Sequence, residues 1–437
     1  MPKLSSLALI PMLTLMVTVF ALACSVPEGQ QSVASTNGPD EVEGTDAPHV
    51  TSGSTGDSVA LNEPSYNTTS TLDSTGSAGW YTSITIGADS LGLISYYDDT
   101  NQVLKIAHCD DAACTSATTS TIDSTGWVGI DTSITIGADG LGLISYLDAT
   151  NGDLKVAHCD NPACTSATTS TVDSTAPSVG WSSSITIGAD GLGLISYHDN
   201  TNGDLKVAHC DNAACTSATT STIDSDGLVG LDTSITIGAD GLGLISYYDN
   251  TNYDLKVAHC DDTACTSATT STLDSDGHVG TDTSITIGAD GLGLISYFFA
   301  DSTDSGLRFC NSDDCALRVA HCENLACTSA TTSTLDSWGE VGLFTSITTG
   351  TDGLGLISYF DQTNSSLKIA HCDNAACTSA KTSTVDSRMD VPGSVGLDTS
   401  ITIGADGLGL ISYKDVPDTY RDATLKVAHC DNTLCSP

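Results

Sequence analysis

The sequence predicts an all-β fold, a seven-bladed β-propeller with four antiparallel strands per blade. Three observations carry this reading. A unit recurs seven times, marked by a His-Cys pair whose cysteines are Cys109, Cys159, Cys210, Cys260, Cys322, Cys372 and Cys430, at spacings of 50, 51, 50, 62, 50 and 58 residues. A fixed period of this size belongs to solenoids, propellers and arrays. Each unit holds four short strand-like runs and no helical periodicity. The two ends are also complementary: the last unit stops at Pro437 before its fourth strand, and residues 68–74 (TTSTLDS) are that fourth strand without the other three. An N-terminal strand completing the last blade closes a ring, whereas an open solenoid needs distinct caps.

Residues 132–174 show the unit in full. Ser133 to Ile136 alternates Ile with hydroxyl residues at period two, which reads as a strand. Asp139-Gly140 is a hairpin turn signal, and the second strand runs from Leu141 to Tyr146. Asn151-Gly152 turns the chain again into the third strand, Leu154 to Cys159. A Cys-bounded loop leads to Thr168–Val172, polar and β-branched, as suits an exposed edge.

Before the repeats, residues 1–24 carry Lys3 and then an apolar run from Leu7 to Ala23, the pattern of a signal peptide. The run ends in Ala21-Leu22-Ala23-Cys24-Ser25, which resembles a bacterial lipobox with Cys24 as the lipidated residue. Cysteine arithmetic agrees: of 17 Cys, only Cys24 stands outside a C-x4-C pair. Residues 25–64, rich in Ser, Thr, Gly, Pro and acids, read as a disordered tether. The remainder, 65–437, is the propeller. The expected localisation is therefore export and lipid anchoring at the outer membrane or cell surface, with Ser25 after the lipidated Cys consistent with outer-membrane sorting in a Gram-negative cell. The lipid is the expected contact with membrane, and a monomer is expected.

The net charge of −41, from 54 acids against 13 bases, repels nucleic acid and anionic lipid, so neither is expected as a partner. The pairs Cys109–Cys114, Cys159–Cys164, Cys210–Cys215, Cys260–Cys265, Cys310–Cys315, Cys322–Cys327, Cys372–Cys377 and Cys430–Cys435 admit two chemistries, disulfide or metal. Adjacent strand residues such as His158 and Cys159 point to opposite faces and cannot easily share one ion. Disulfides are the expectation, with no metal site. The repeated His, the Ser-Tyr pair of the second strand and the repeated Lys follow the blade geometry, and the His is expected to pack between blades. The acids Asp98, Asp148, Asp199, Asp249, Asp361 and Asp415 recur at the end of the second strand, where turn capping is expected and Ca²⁺ binding is the competing reading.

Strands alternate in direction, so loops alternate between faces. The first-to-second turn and the Cys loop, both nearly invariant, share one face. The second-to-third and blade-to-blade connections share the other, and these vary; all four Trp (Trp80, Trp127, Trp181, Trp338) fall in the blade-to-blade stretches. Variable loops on a rigid face are where binding usually sits. Rare residues concentrate around the last two blades: Trp338, Glu340, Arg388, Tyr420 and Arg421 are the candidate ligand-binding group, joining a stacking surface to charged donors and an acceptor. With no unique nucleophile–base pair, no catalytic residue is expected.

The stretch Ser-Ile-Thr-Ile-Gly-Ala-Asp-Gly-Leu-Gly-Leu-Ile-Ser-Tyr resembles the repeat propellers of bacterial surface lipoproteins and is loosely similar to the Asp-box repeats of sialidase-like propellers. The resemblance covers 65–437 at the level of fold. The aromatic residue that follows the Asp-box Gly is missing here. Sialidases hold a carboxylate with three arginines, and this chain has only Arg308, Arg318, Arg388 and Arg421, scattered. The expected function is a non-catalytic adhesin or lectin-like protein that binds a glycan or a surface protein. The alternatives are a glycoside hydrolase or lyase of the sialidase-like type, and a structural scaffold in an envelope complex.

Overall fold

The computed structural model describes residues 67–301, 315–388, 392–417 and 422–436. Signal peptide, Cys24 and tether lie outside the described residues, as do Arg308, Cys310, Tyr420 and Arg421. The described residues form seven four-stranded antiparallel sheets. Blade 2 has the strands Val128–Ile136, Gly142–Asp148, Asp153–Cys159 and Ala167–Asp173, paired in that order. The other blades repeat the plan, so the chain is a seven-bladed β-propeller.

The N-terminal strand closes the ring. Thr68–Asp73 is the fourth strand of blade 7, beside Thr424–His429 and followed by Gly409–Val416 and Ser394–Ile403. Its register pairs Thr68 with His429 and Asp73 with Leu425. Asn67 extends the clasp, its side-chain amide donating to the Cys435 carbonyl at 3.1 Å.

Burial explains why the second and third strands read as near-continuous apolar runs. Gly142–Asp148 is buried at every position, whereas Ala167–Asp173 shows its Thr residues to solvent. Each blade core packs against its neighbour: Leu143 of blade 2 joins Ile185, Ile195 and Tyr197 of blade 3. Blades approach closely enough to demand glycine. At Gly180 (φ +92°) a Cβ would stand 2.8 Å from the Leu154 Cα of the preceding blade.

Three polar rings bind blade to blade. The first-strand Ser133 hydroxyl accepts from the Ile185 amide of the next blade at 3.2 Å, and the equivalent bond recurs at all seven seams. The Ser of the second strand pairs with the hydroxyl before that Ser, as in Ser145 with Ser183 at 2.9 Å. Further out, Asp173 at the end of a fourth strand accepts from Tyr197 Oη at 2.6 Å and Lys206 Nζ at 2.5 Å of the next blade. The repeated Ser, Tyr and Lys are thus structural, as expected from their repetition. Arg318 replaces the Lys in blade 5 and reaches Asp274 at 3.1 Å.

The repeated His departs from expectation. His158 Nε2 lies 2.8 Å from Oδ2 of Asp139, in the first-to-second turn of its own blade, and all seven His repeat this contact. This bond ties the third strand to the first-to-second turn of the same blade. Seven C-x4-C pairs are disulfides, each with Cα atoms 4.7–4.9 Å apart. The eighth involves Cys310 and lies outside the described residues.

Candidate binding site on the propeller axis

The first strand is longer than its sequence pattern suggests, and the extension builds the site. In blade 2 it starts at Val128, and its register with the second strand shifts between Ile130 and Ser133. Such a bulge re-aims a side chain. The re-aimed residue is Asp131, at φ +50°, in the left-handed region where a non-glycine residue is uncommon. Every blade repeats the conformation at Tyr81, Ser182, Asp232, Asp282, Phe344 and Asp398, with φ between +49° and +53°. Asp tolerates this region better than Phe or Tyr, so four blades use the favoured residue and blades 1 and 6 carry bulky rings there.

These seven positions line a cavity of about 220 Å³ together with the hydroxyl residues that follow them, such as Thr132 and Thr233. One residue pair from every blade meets there, so the cavity lies on the ring axis. A second cavity of about 310 Å³ shares the re-aimed residues and adds Trp181, His198, Asn200 and Leu231. Asn200 follows the second strand of blade 3, and Trp181 stands where the first strand begins. This cavity therefore belongs to the face of the variable connections, where the Ala149 amide donates to the Trp127 carbonyl of the blade-to-blade loop at 2.8 Å.

Carboxylates dominate the axial ring. Asp131 accepts the Ser182 amide at 2.7 Å, Asp232 the Asp282 amide at 3.2 Å, and Asp398 the Tyr81 amide at 3.1 Å. Each bond reaches the next blade, so these carboxylates hold the bulged backbone beside the cavity. Asp398 also takes Lys414 Nζ at 2.7 Å, and the same ammonium sits 3.4 Å from the centre of the Trp80 ring. Burial lowers the Lys414 ammonium from its usual value, against the opposing pull of Asp398.

His198 supplies a different polarity. It is 1% exposed, and its Nδ1 lies 2.8 Å from the Val229 carbonyl. A carbonyl only accepts, so Nδ1 carries the proton in that bond. Burial pushes the imidazole down from its usual value, outweighing the pull of the Val229 carbonyl and the Asp199 carboxylate. Nε2 is buried and has no hydrogen-bond partner.

Of the rim residues singled out from the sequence, the described ones, Trp338, Glu340 and Arg388, sit apart from this cavity. Trp338 is 86% exposed. Glu340 accepts from the Gln362 side-chain amide at 2.5 Å. Arg388 grips both oxygens of Asp415, at 2.5 and 2.8 Å. Neither Trp338, Glu340 nor Arg388 lines either cavity. The pair has a local cause. In five other blades the recurrent Asp caps its turn, as Asp148 does by accepting from Asn151 Nδ2 at 2.9 Å; blade 7 has no Asn there, and Arg388 serves Asp415 instead. Among the described residues no group of three or more His, Cys, Asp or Glu is arranged to hold a metal ion.

The four Trp divide. Trp80 and Trp181 are partly buried and donate their indole N–H to Ser77 and Ser178 at 2.9 and 2.8 Å. Trp127 and Trp338 are exposed. Sequence reasoning missed the axial ring, although a signal was present: a single variable position precedes the near-constant Thr-Ser-Ile-Thr of each unit.

No family model matches the chain, and no curated protein matches its sequence. Solved structures resemble it in shape. The hydrazine synthase of Kuenenia stuttgartiensis aligns over 79% of this chain and 95% of its own, with 11% identity and a TM-score of 0.54. The polysaccharide lyase Uly1 aligns over 79% and 89%, with 10% identity and a TM-score of 0.49. The NanB sialidase of Streptococcus pneumoniae aligns over 83% and 70%, with 9% identity and a TM-score of 0.46. The likeness is one of fold.

Proposed function

We propose that the chain is a non-catalytic binding protein that takes a glycan in the axial cavity on its variable-loop face. One observation carries the reading: the residues that break the seven-fold pattern, Tyr81, Trp181, His198 and Phe344, meet at one cavity on the axis. Rings beside hydroxyl, amide and carboxylate groups offer stacking and hydrogen bonds together, as a sugar requires. The rim group of Trp338, Glu340, Arg388, Tyr420 and Arg421 enters this reading as an outlying contact, through the exposed Trp338 ring.

The seven disulfides support an oxidising compartment. With the lipobox-like sequence around Cys24, they support a lipid-anchored surface protein. A glycan array probed with the wild type and with Phe344→Ala tests the function. Specific binding lost in the variant is the expected result; binding unchanged in Phe344→Ala would remove the axial cavity, and turnover of a bound polysaccharide would establish the hydrolase or lyase alternative.

A further inference from the structure

Resting on that reading, we propose that the ligand of the axial cavity carries a protonated amine, as an amino sugar or a polyamine does. Charge is the first argument. Asp131, Asp232, Asp282 and Asp398 project at the cavity from four different blades, and among the described residues no Lys or Arg lines it. The nearby Lys414 is spent on Asp398 and Trp80. An anionic sugar would meet repulsion here and a cation attraction.

Hydrogen-bond polarity gives the second argument. The carboxylates accept, and the buried Nε2 of His198, which lines the cavity, has no hydrogen-bond partner. Two of the donors at the cavity wall are already engaged: the Trp181 indole N–H goes to Ser178 at 2.8 Å, and the Thr132 hydroxyl goes to Ser95 at 2.9 Å. A wall rich in acceptors calls for a ligand rich in donors, and an ammonium group offers three N–H bonds. Buried acceptors left unpaired also reject a ligand that lacks the donor. Tyr81, Trp181 and Phe344 line the same cavity, and aromatic faces attract cations.

The test is calorimetric titration of the full chain with three probes: a glucosamine oligosaccharide, the N-acetylated oligosaccharide of equal length, and spermidine. The free-amine sugar should bind at least ten-fold more tightly than its acetylated form, and added salt should weaken it. The double variant Asp232→Asn and Asp282→Asn, in which the side-chain oxygen at position 232 can still accept the backbone N–H of residue 282, should lose at least ten-fold while its thermal melt is unchanged. His198→Phe should lose affinity independently. Spermidine bound without either sugar would support the amine and remove the glycan reading. Equal affinity for both sugars would overturn the amine while leaving the glycan reading intact, and no binding of any of the three probes would overturn the proposal.

Discussion

Lys206 Nζ of blade 3 lies 2.5 Å from Oδ2 of Asp173, whose side chain is fully buried at the outer end of blade 2. The sequence separates the two by 33 residues, and the fold makes them the bolt between neighbours. Replacing Lys206 by Met leaves a buried carboxylate without its cation. Breaking such a pair costs about 3–5 kcal/mol, so the urea midpoint should fall clearly. A midpoint equal to that of the wild type would mean that the pair contributes nothing to holding the blades together.

The same carboxylates set an acid limit. Burial alone would raise Asp73, Asp123, Asp173 and Asp224, but hydrogen bonds from the neighbouring Lys and Tyr hold them below the usual carboxylate value. A depressed folded value contributes stability above the unfolded value of about 3.9, and that stability is lost as pH falls through the folded value. Asp153, Asp204 and Asp254 oppose them. Burial, then the facing Asp148, Asp199 and Asp249, pushes these carboxyls up. Their contribution is present at low pH and is lost as pH rises through the folded value. The triple variant to Asn should therefore stabilise the protein at pH 7 and bring no gain at about pH 3. Equal gains at both would show that the facing carboxylates are not its cause.

Each disulfide closes a loop with a sequence separation of 5. In the chain-entropy treatment so short a loop is worth about 2 kcal/mol. Cys159→Ala with Cys164→Ala should lower stability by about that amount, and more if the vacated, fully buried space does not collapse. Mass spectrometry of unreduced protein should find eight bridges, Cys310–Cys315 included, and a lipid on Cys24. Free thiols that titrate with zinc would contradict the bridges.

Arg388 and Trp338 make a contrasting pair. Arg388→Ala removes two charge-assisted bonds from Asp415 and should cost roughly 1–3 kcal/mol. Trp338→Ala removes an exposed ring and should stay within about 0.5 kcal/mol of the wild type. Thermal melts of the two variants decide between rim residues that hold the fold and rim residues free to meet a partner.

Much of this was legible from the chain itself. The His-Cys period gave blade number, and the detached strand at residues 68–73 gave closure, because both follow from near-identical repeats. Turn capping by Asp148 was readable from its distance to Asn151. The His–Asp tie was not, since His158 and Asp139 meet only once the second strand lies between them. The axial ring was hidden for another reason: Asp131 interrupts the period-two alternation, which placed the strand start at Ser133 and left the bulge in a loop. A bulge is a backbone event, and side-chain periodicity does not report it.

The clasp between Thr68–Asp73 and Thr424–His429 also governs when the molecule can exist. A chain made from its N-terminus carries an orphan β-edge through the synthesis of more than 350 residues before its mate appears. Six blades can assemble as they emerge, each stapled within itself, but the seventh waits for material from both ends. Until then two raw sheet edges face water and invite pairing with other chains. The surplus of negative charge, so marked in this sequence, makes such half-built rings repel one another.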